Sequence, residues 1–342
     1  MVALVINSDY VTPAELTGYV REALADQPIN DLALVDNLLP DTMIDDIEFR
    51  ANITQHGLRR AGRFRAYDTE APISGRKGIA RISGELPPLS EKRLLGEYDR
   101  LRMRKVPDAI RNVIFNDAVE LAQALRTRMI MAKADAIING KVTLEENGLE
   151  LEADFQRLVG HSVTASTLWS VTGSGAADPV LDQESWFATF RATQSGNPVR
   201  AITSQRVMSA LMRNDKIRAA TLPVGSTQTI VTKEAVNALF GAFGHPTMEI
   251  FDAQVEDWQG NATRLFPDDV IVYVGAAKIG ETLWGTTAEA PEPLYGIDST
   301  DASGVVVGSF ITPDATQRWT KASGIGLPML LNANATMVAK VL

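Results

Sequence analysis

Histidine is the side chain best suited to proton transfer and metal ligation near neutral pH, and this chain has three: His56, His161 and His245. They lie far apart and form no His-x-x-x-His pair, so they read as turn or surface histidines. There is no cysteine, which removes disulfides, thiolate nucleophiles and cysteine-based zinc sites. Gly173-Ser174-Gly175 has the composition of a phosphate loop. It lacks the Lys-Ser/Thr ending and follows no buried strand, so a flexible linker is the better reading. Gly324-Ile325-Gly326 is similarly weak, and no Gly-x-Ser-x-Gly elbow occurs. Carboxylates abound, as in Asp45-Asp46-Glu48 and Asp252/Glu256/Asp257, but groupings this common mark solvated faces. Asp268-Asp269 has the residue types for a metal site and nothing further to support one. The expectation is a protein with no catalytic, cofactor-binding or metal residues: not an enzyme.

The unusual chemistry lies in where the charges fall. The net charge is −9, which argues against a simple nucleic-acid binder. Residues 1–50 carry ten acids and two bases, whereas residues 51–105 carry thirteen bases and six acids. Arg59, Arg60, Arg63, Arg65, Arg76, Lys77 and Arg81 sit together on one glycine-rich stretch. Phosphates attract such clusters, but regularly placed aromatics for base stacking are missing, and an acidic protein surface is the favoured partner. An acidic arm and a basic loop that meet complementary surfaces would explain the segregation.

The elements that must carry these groups are legible in part. With 342 residues the chain is long enough for a large core and for two domains. No stretch approaches the roughly 18–20 apolar residues of a membrane span. The N-terminus lacks the basic region of a signal peptide, so a cytoplasmic protein is expected. Thr12-Pro13-Ala14-Glu15 is a capping box with proline at the first helical position. It opens a short helix that Pro28 ends. Residues 29–47 alternate short apolar runs with single acids and read as an extended arm that buries its apolar residues on something else. Residues 48–92, punctuated by glycine and proline, read as two long strands folded back as a hairpin. Such a hairpin is marginal alone and must be stabilised elsewhere.

Ser90 is placed to cap a helix through about Arg104. From Asp108, apolar residues recur at Ile110, Ile114, Ala118, Leu121, Leu125, Met129, Ala132 and Ala136, the helical period. Pro107 suits the first turn and Gly140 the stop, giving about 28–32 residues or roughly 45 Å. Asn147-Gly148 between two alternating runs is the strongest short hairpin signal. Beyond a Gly/Ser-rich link at 162–178, helices are expected at 179–192, 204–214 and 233–243. Strands are expected at 199–202, 227–231, 247–251, 270–274, 305–311 and 336–342, with a loop over 275–304. The class is α+β with arms.

An acidic arm, a basic glycine-rich hairpin, a strut helix and a two-part body together resemble the major capsid proteins of tailed bacteriophages, and specifically the lambda-type major head proteins of the capsid protein E family. Locally, Ala136-Ile137-Ile138-Asn139-Gly140-Lys141-Val142-Thr143 resembles that family's junction of helix, Gly-Lys and strand. Leu327-Pro328-Met329-Leu330-Leu331 with Met337-Val338-Ala339 resembles its closing segment, and Asp178-Pro179 opens the helix that carries Trp186.

The resemblance implies an HK97-like capsid fold. Residues 1–50 become the N-arm and 51–92 the extended E-loop. Residues 93–177 and 319–342 become the peripheral domain, including a spine helix at 107–139, and 178–318 the axial domain. Asp31, Asp36, Asp41, Asp45 and Asp46 of the arm and the seven basic residues of the loop become contacts between subunits. The implied partners are other copies of the chain in pentamers and hexamers, a separate scaffold protein, a portal, a possible decoration protein and packaged dsDNA on the inner face. The implied location is the virion capsid, assembled in the bacterial cytoplasm. No cofactor is implied. Two other readings fit less: an encapsulin-like shell, and a soluble α/β enzyme or ligand-binding protein whose lid is residues 51–92.

Overall fold

The computed structural model describes residues 5–6, 10–25, 32–53, 57–58, 61, 63–70, 80–103, 105–194, 196–223, 226–297, 303–312 and 317–342. The long helix runs Pro107–Asn139, 33 residues, with Pro107 in its first turn and Gly140 in the left-handed conformation at φ 69°. All eight residues of the periodic stripe are buried. The stop is built as well as permitted. Arg157 donates to the carbonyls of Ile137 (2.8 Å) and Ile138, which would otherwise lack partners. A cation here also complements the negative end of the helix dipole. Burial pulls the Arg157 pKa down to about 10, so it stays charged at neutral pH. A Cβ on Gly140 would sit 2.9 Å from this side chain, so the glycine supplies both the backbone angle and the space. The Asn-Gly hairpin follows as expected: Lys141–Glu146 pairs with Leu149–Asp154 across Asn147 (φ 50°) and Gly148 (φ 84°).

Two sheets divide the remaining strands. A five-stranded sheet contains Met248–Ile250, Arg200–Thr203, Val270–Val274, Thr336–Lys340 and Ser162–Thr164 in that spatial order. Both of its faces are covered. Val270, Val272 and Val274 point into one apolar cluster with Ile130, Ile137 and Phe266, while Ile271 and Tyr273 point into another with Trp169, Trp186, Phe187 and Phe240. That is why Val270–Val274 is apolar without alternation. The second, six-stranded sheet is organised on the 14-residue strand Gln317–Leu330. This strand pairs antiparallel with Val306–Thr312, with Pro88–Leu95 and with Gly280–Trp284. The first half of the long helix packs over it, and the N-terminal helix Pro13–Ala25 packs against Val306–Thr312 and the long helix.

Several expectations are corrected. Residues 88–103 form a strand, Pro88–Leu95, then a short helix, Glu97–Met103, instead of one helix from Ser90. The apolar spacing allows either, and the ladder to Arg318–Ile325 decides for the strand. Residues 280–284 form a strand inside the expected loop. Gly280 hid it: a Cβ there would lie 1.9 Å from the Met329 carbonyl, so the glycine marks a close backbone approach. Residues 227–231 form no strand; Val231 instead donates its amide to Met212 in a loop. The segment 32–43 is no bare extended arm. Ala33–Leu38 is a helix, and Asp41–Met43 a strand parallel to Thr282–Trp284. Its Val35, Leu38 and Leu39 are fully buried in the chain's own core. The expected hairpin forms where it is described, Glu48–Ile53 against Ala80–Glu85, with Phe49 and Ala51 in that same core.

Candidate assembly surface

Two of the three histidines, the Gly173 loop and the carboxylates of Asp252, Asp268 and Asp269 have structural partners within the chain. His161 is buried, Nδ1 3.0 Å from the Thr336 carbonyl and Nε2 2.9 Å from Thr193 Oγ1, and His245 is buried against Phe187. Both depart from the expected turn or surface placement, because each ring fills apolar space in the second cluster. His56 lies outside the described residues. Burial lowers the His161 pKa from its usual 6.5, and the Arg157 charge adds to this, while the Thr336 carbonyl opposes it. The unfolded chain therefore binds a proton below about pH 6.5 that the folded site resists, and stability is lost as pH falls through that value. The urea midpoint is expected to drop between pH 7.5 and 5.5, and to drop less in His161→Asn.

The Gly173 amide donates to Asp215 Oδ2 at 2.6 Å, so a carboxylate holds the loop that would have cradled a phosphate. Gly324 and Gly326 lie inside the long strand. Cβ atoms there would come within 2.9 Å of the Trp284 ring and 3.0 Å of Met129, so Gly324 makes room for Trp284 of the adjacent strand and Gly326 lets the long helix lie close. Asp252 is paired with Arg264. Asp268 is 3.1 Å from Arg206 and Asp269 2.9 Å from Lys340, which leaves the metal reading without free ligands. Among the described residues no group of His, Cys, Asp and Glu could hold a metal ion.

The acidic arm divides into two parts. Asp36 and Asp41 close on Lys133 of the long helix, with Nζ 2.8 and 2.7 Å from their Oδ1 atoms, and Arg126 adds a 3.0 Å contact to Asp36. These two charges are committed within the subunit. Asp45, which accepts from Thr286 Oγ1 at 2.9 Å, and Asp46, which accepts from the Glu48 amide, remain exposed. Asp31 lies outside the described residues.

Of the basic loop, Arg63, Arg65 and Arg81 are described and exposed; Arg59, Arg60, Arg76 and Lys77 lie outside the described residues. The tip has internal order. Arg65 donates to the Thr69 carbonyl at 2.7 Å, Thr69 Oγ1 donates to the Ala66 carbonyl at 2.8 Å, and Asp68 takes φ 59°. Phe64 and Tyr67 are 107% and 97% exposed on this tip. Sequence reading passed over them because two aromatics among arginines carry no period. Exposed aromatics beside arginines on an ordered turn have the composition of a protein-contact surface.

Comparison with known proteins agrees with this geometry. Residues 53–341 match the family model described as phage major capsid protein E. No match is found among curated proteins. A solved structure described as a prophage capsid protein from Escherichia coli CFT073 superposes with TM-score 0.64 at 12% identity, covering 97% of this chain and 99% of that one. A phage-related protein from Bordetella bronchiseptica RB50 gives TM-score 0.51 at 15% identity, with 98% and 97% covered. The chain belongs to the phage major capsid protein E family: it is a structural protein of the virion shell with the HK97-like capsid fold, not an enzyme.

Proposed function

We propose that copies of this chain assemble as pentamers and hexamers of an icosahedral head that encloses dsDNA. The observation that carries this reading is the described part of the basic loop, where Arg63, Phe64, Arg65 and Tyr67 are exposed, while the base of its hairpin is anchored in the chain's own core. A side-chain set of that kind has no task in an isolated monomer. The seven basic residues named above serve as contacts to a neighbouring subunit. Asp45 and Asp46 of the arm are acidic counterparts, and the hairpin after the long helix offers more: Glu145, Glu150, Glu152 and Asp154 are exposed there. Glu145 and Glu150 face each other directly across the strands, an unfavourable pairing that a basic neighbour relieves.

In this reading 1–50 is the N-arm, 51–92 the E-loop, 93–177 with 319–342 the peripheral domain and 178–318 the axial domain. A scaffold protein, a portal and a decoration protein are the further partners. DNA meets the inner face without sequence specificity, and assembly takes place in the bacterial cytoplasm. No described helix is long and apolar enough to cross a membrane. Family membership favours the phage head over an encapsulin-like compartment and over a lid-bearing enzyme.

The test is negative-stain electron microscopy of the purified protein with light scattering, alone and with a scaffold protein. Closed shells, or rings of five and six, are the expected result. A monomer that stays dispersed in both conditions would overturn the reading.

A further inference from the structure

We infer that the tip of the hairpin at 254–264 docks, through Trp258, onto the helix Glu97–Met103 of a second copy of this chain. The inference rests on the shell reading above and adds a contact that neither the N-arm nor the E-loop supplies.

Strands Gln254–Glu256 and Ala262–Arg264 pair antiparallel, and the turn between them is heavily braced. The Asp257 carboxylate accepts from the amides of Gln259 (2.9 Å) and Asn261 (2.8 Å), the Asp257 amide donates to the Asn261 carbonyl (2.9 Å), and Gly260 takes φ 85°. On this rigid turn Trp258 is 79% exposed. Asp252 and Arg264 pair at the base, and Val255 packs into the core. A tryptophan on a preordered support loses little conformational entropy when it is buried by a partner, which is the property of an interface anchor.

The receiving surface has the matching features. Tyr98 (76% exposed) and Leu101 (63% exposed) line, with Arg102 and Lys105, a surface hollow of about 520 Å³. Within the helix, the spacing of three and four residues places Tyr98, Leu101 and Arg102 on one side, and Lys105 follows in the turn after it. The hollow is lined by two apolar side chains and two bases; the tip is a tryptophan preceded by the acidic Glu256 and Asp257. The charges of the hollow and of the tip are therefore opposite in sign.

Position within the subunit decides that the contact is between copies. The helix Glu97–Met103 leads into the start of the 33-residue helix, about 50 Å long. The hairpin stem packs against the cluster that holds the end of that helix. Knob and socket thus lie at different regions of one chain, and a head-to-tail contact of this kind generates rings when its rotation closes.

The absence of cysteine makes a clean test. In full-length protein, Gln259→Cys and Lys105→Cys are combined, keeping Trp258 and Arg102, and assembled shells are treated with a short bismaleimide, which adds one thiol at each end. A ladder of covalent multimers from the double variant, absent from either single variant, is expected. Independently, Trp258→Ala and Leu101→Asp are each expected to raise the protein concentration needed for shell formation about tenfold or more, with an unchanged urea midpoint. The double variant should be little worse than either single, and Trp258→Phe should recover most of the loss. Shells that form with both thiols reactive but give no ladder overturn the inference, as do normal shells from Trp258→Ala. Strictly additive effects also overturn it, since they assign the two residues to different partners. Failure of the unmodified chain to form any shell, by contrast, overturns the assembly reading itself.

Discussion

Removing both carboxylates from Lys133, by Asp36→Ala with Asp41→Ala, is expected to lower stability by about 3–5 kcal/mol, the usual cost of stranding a buried charge. The Lys133 side chain is 2% exposed and its ammonium is held at 2.7–2.8 Å by the two carboxylates. Without them a full charge stays in the interior without compensation. The converse change is expected to be milder. Lys133→Met keeps most of the volume and removes the charge, Asp36 retains Arg126 at 3.0 Å, and Asp41, about half exposed, reaches water. A loss of about 1–2 kcal/mol follows from the weakened network. Urea unfolding of the isolated subunit measures both. Limited proteolysis reports whether residues 32–43 detach first, since this cluster is the polar fastening of that segment to the long helix. Equal and small losses in the two variants would show that water screens the site.

Reversing Arg59, Arg60, Arg63 and Arg65 to glutamate is expected to abolish shell formation and leave the subunit folded. Arg63 and Arg65 are exposed, and Arg65 is bonded only to carbonyls of its own turn among the interactions described. Their reversal therefore removes no core contact. An exposed ion pair is worth about 0–1 kcal/mol alone. In a shell the same contact repeats in every subunit, and four reversals turn each attraction toward an acidic neighbour into repulsion. Particle counts by microscopy and the urea midpoint read the two effects separately. Normal particles from this variant would remove the loop from the assembly argument, and an unfolded subunit would show that the arginines belong to the fold.

The periodic stripe from Ile110 to Ala136, the Pro107 and Gly140 signals and the Asn147-Gly148 turn are local, and each appears in the structure as read. A helix of 33 residues states its period many times over, and a two-residue turn needs only its own backbone angles. The order of arm, hairpin, strut and closing strand is equally legible in the sequence, and it carries the likeness to phage capsid proteins. Residues 88–95, 227–231 and 280–284 were misread because a strand exists only where another strand offers an edge. Pro88–Leu95 acquired the edge of Gln317–Leu330, more than two hundred residues away, and 227–231 acquired none.

The candidate contact surface divides along the same line. Composition alone separated the acidic first fifty residues from the basic stretch that follows, since charge is counted without knowing the fold. Which charges remain available was decided only by tertiary structure. Asp36 and Asp41 are consumed by a lysine some ninety residues away, Asp45 and Asp46 are not, and Phe64, Tyr67 and Trp258 stand in solvent instead of in the core. Exposure and pairing depend on what the rest of the chain brings alongside, and no local pattern encodes that.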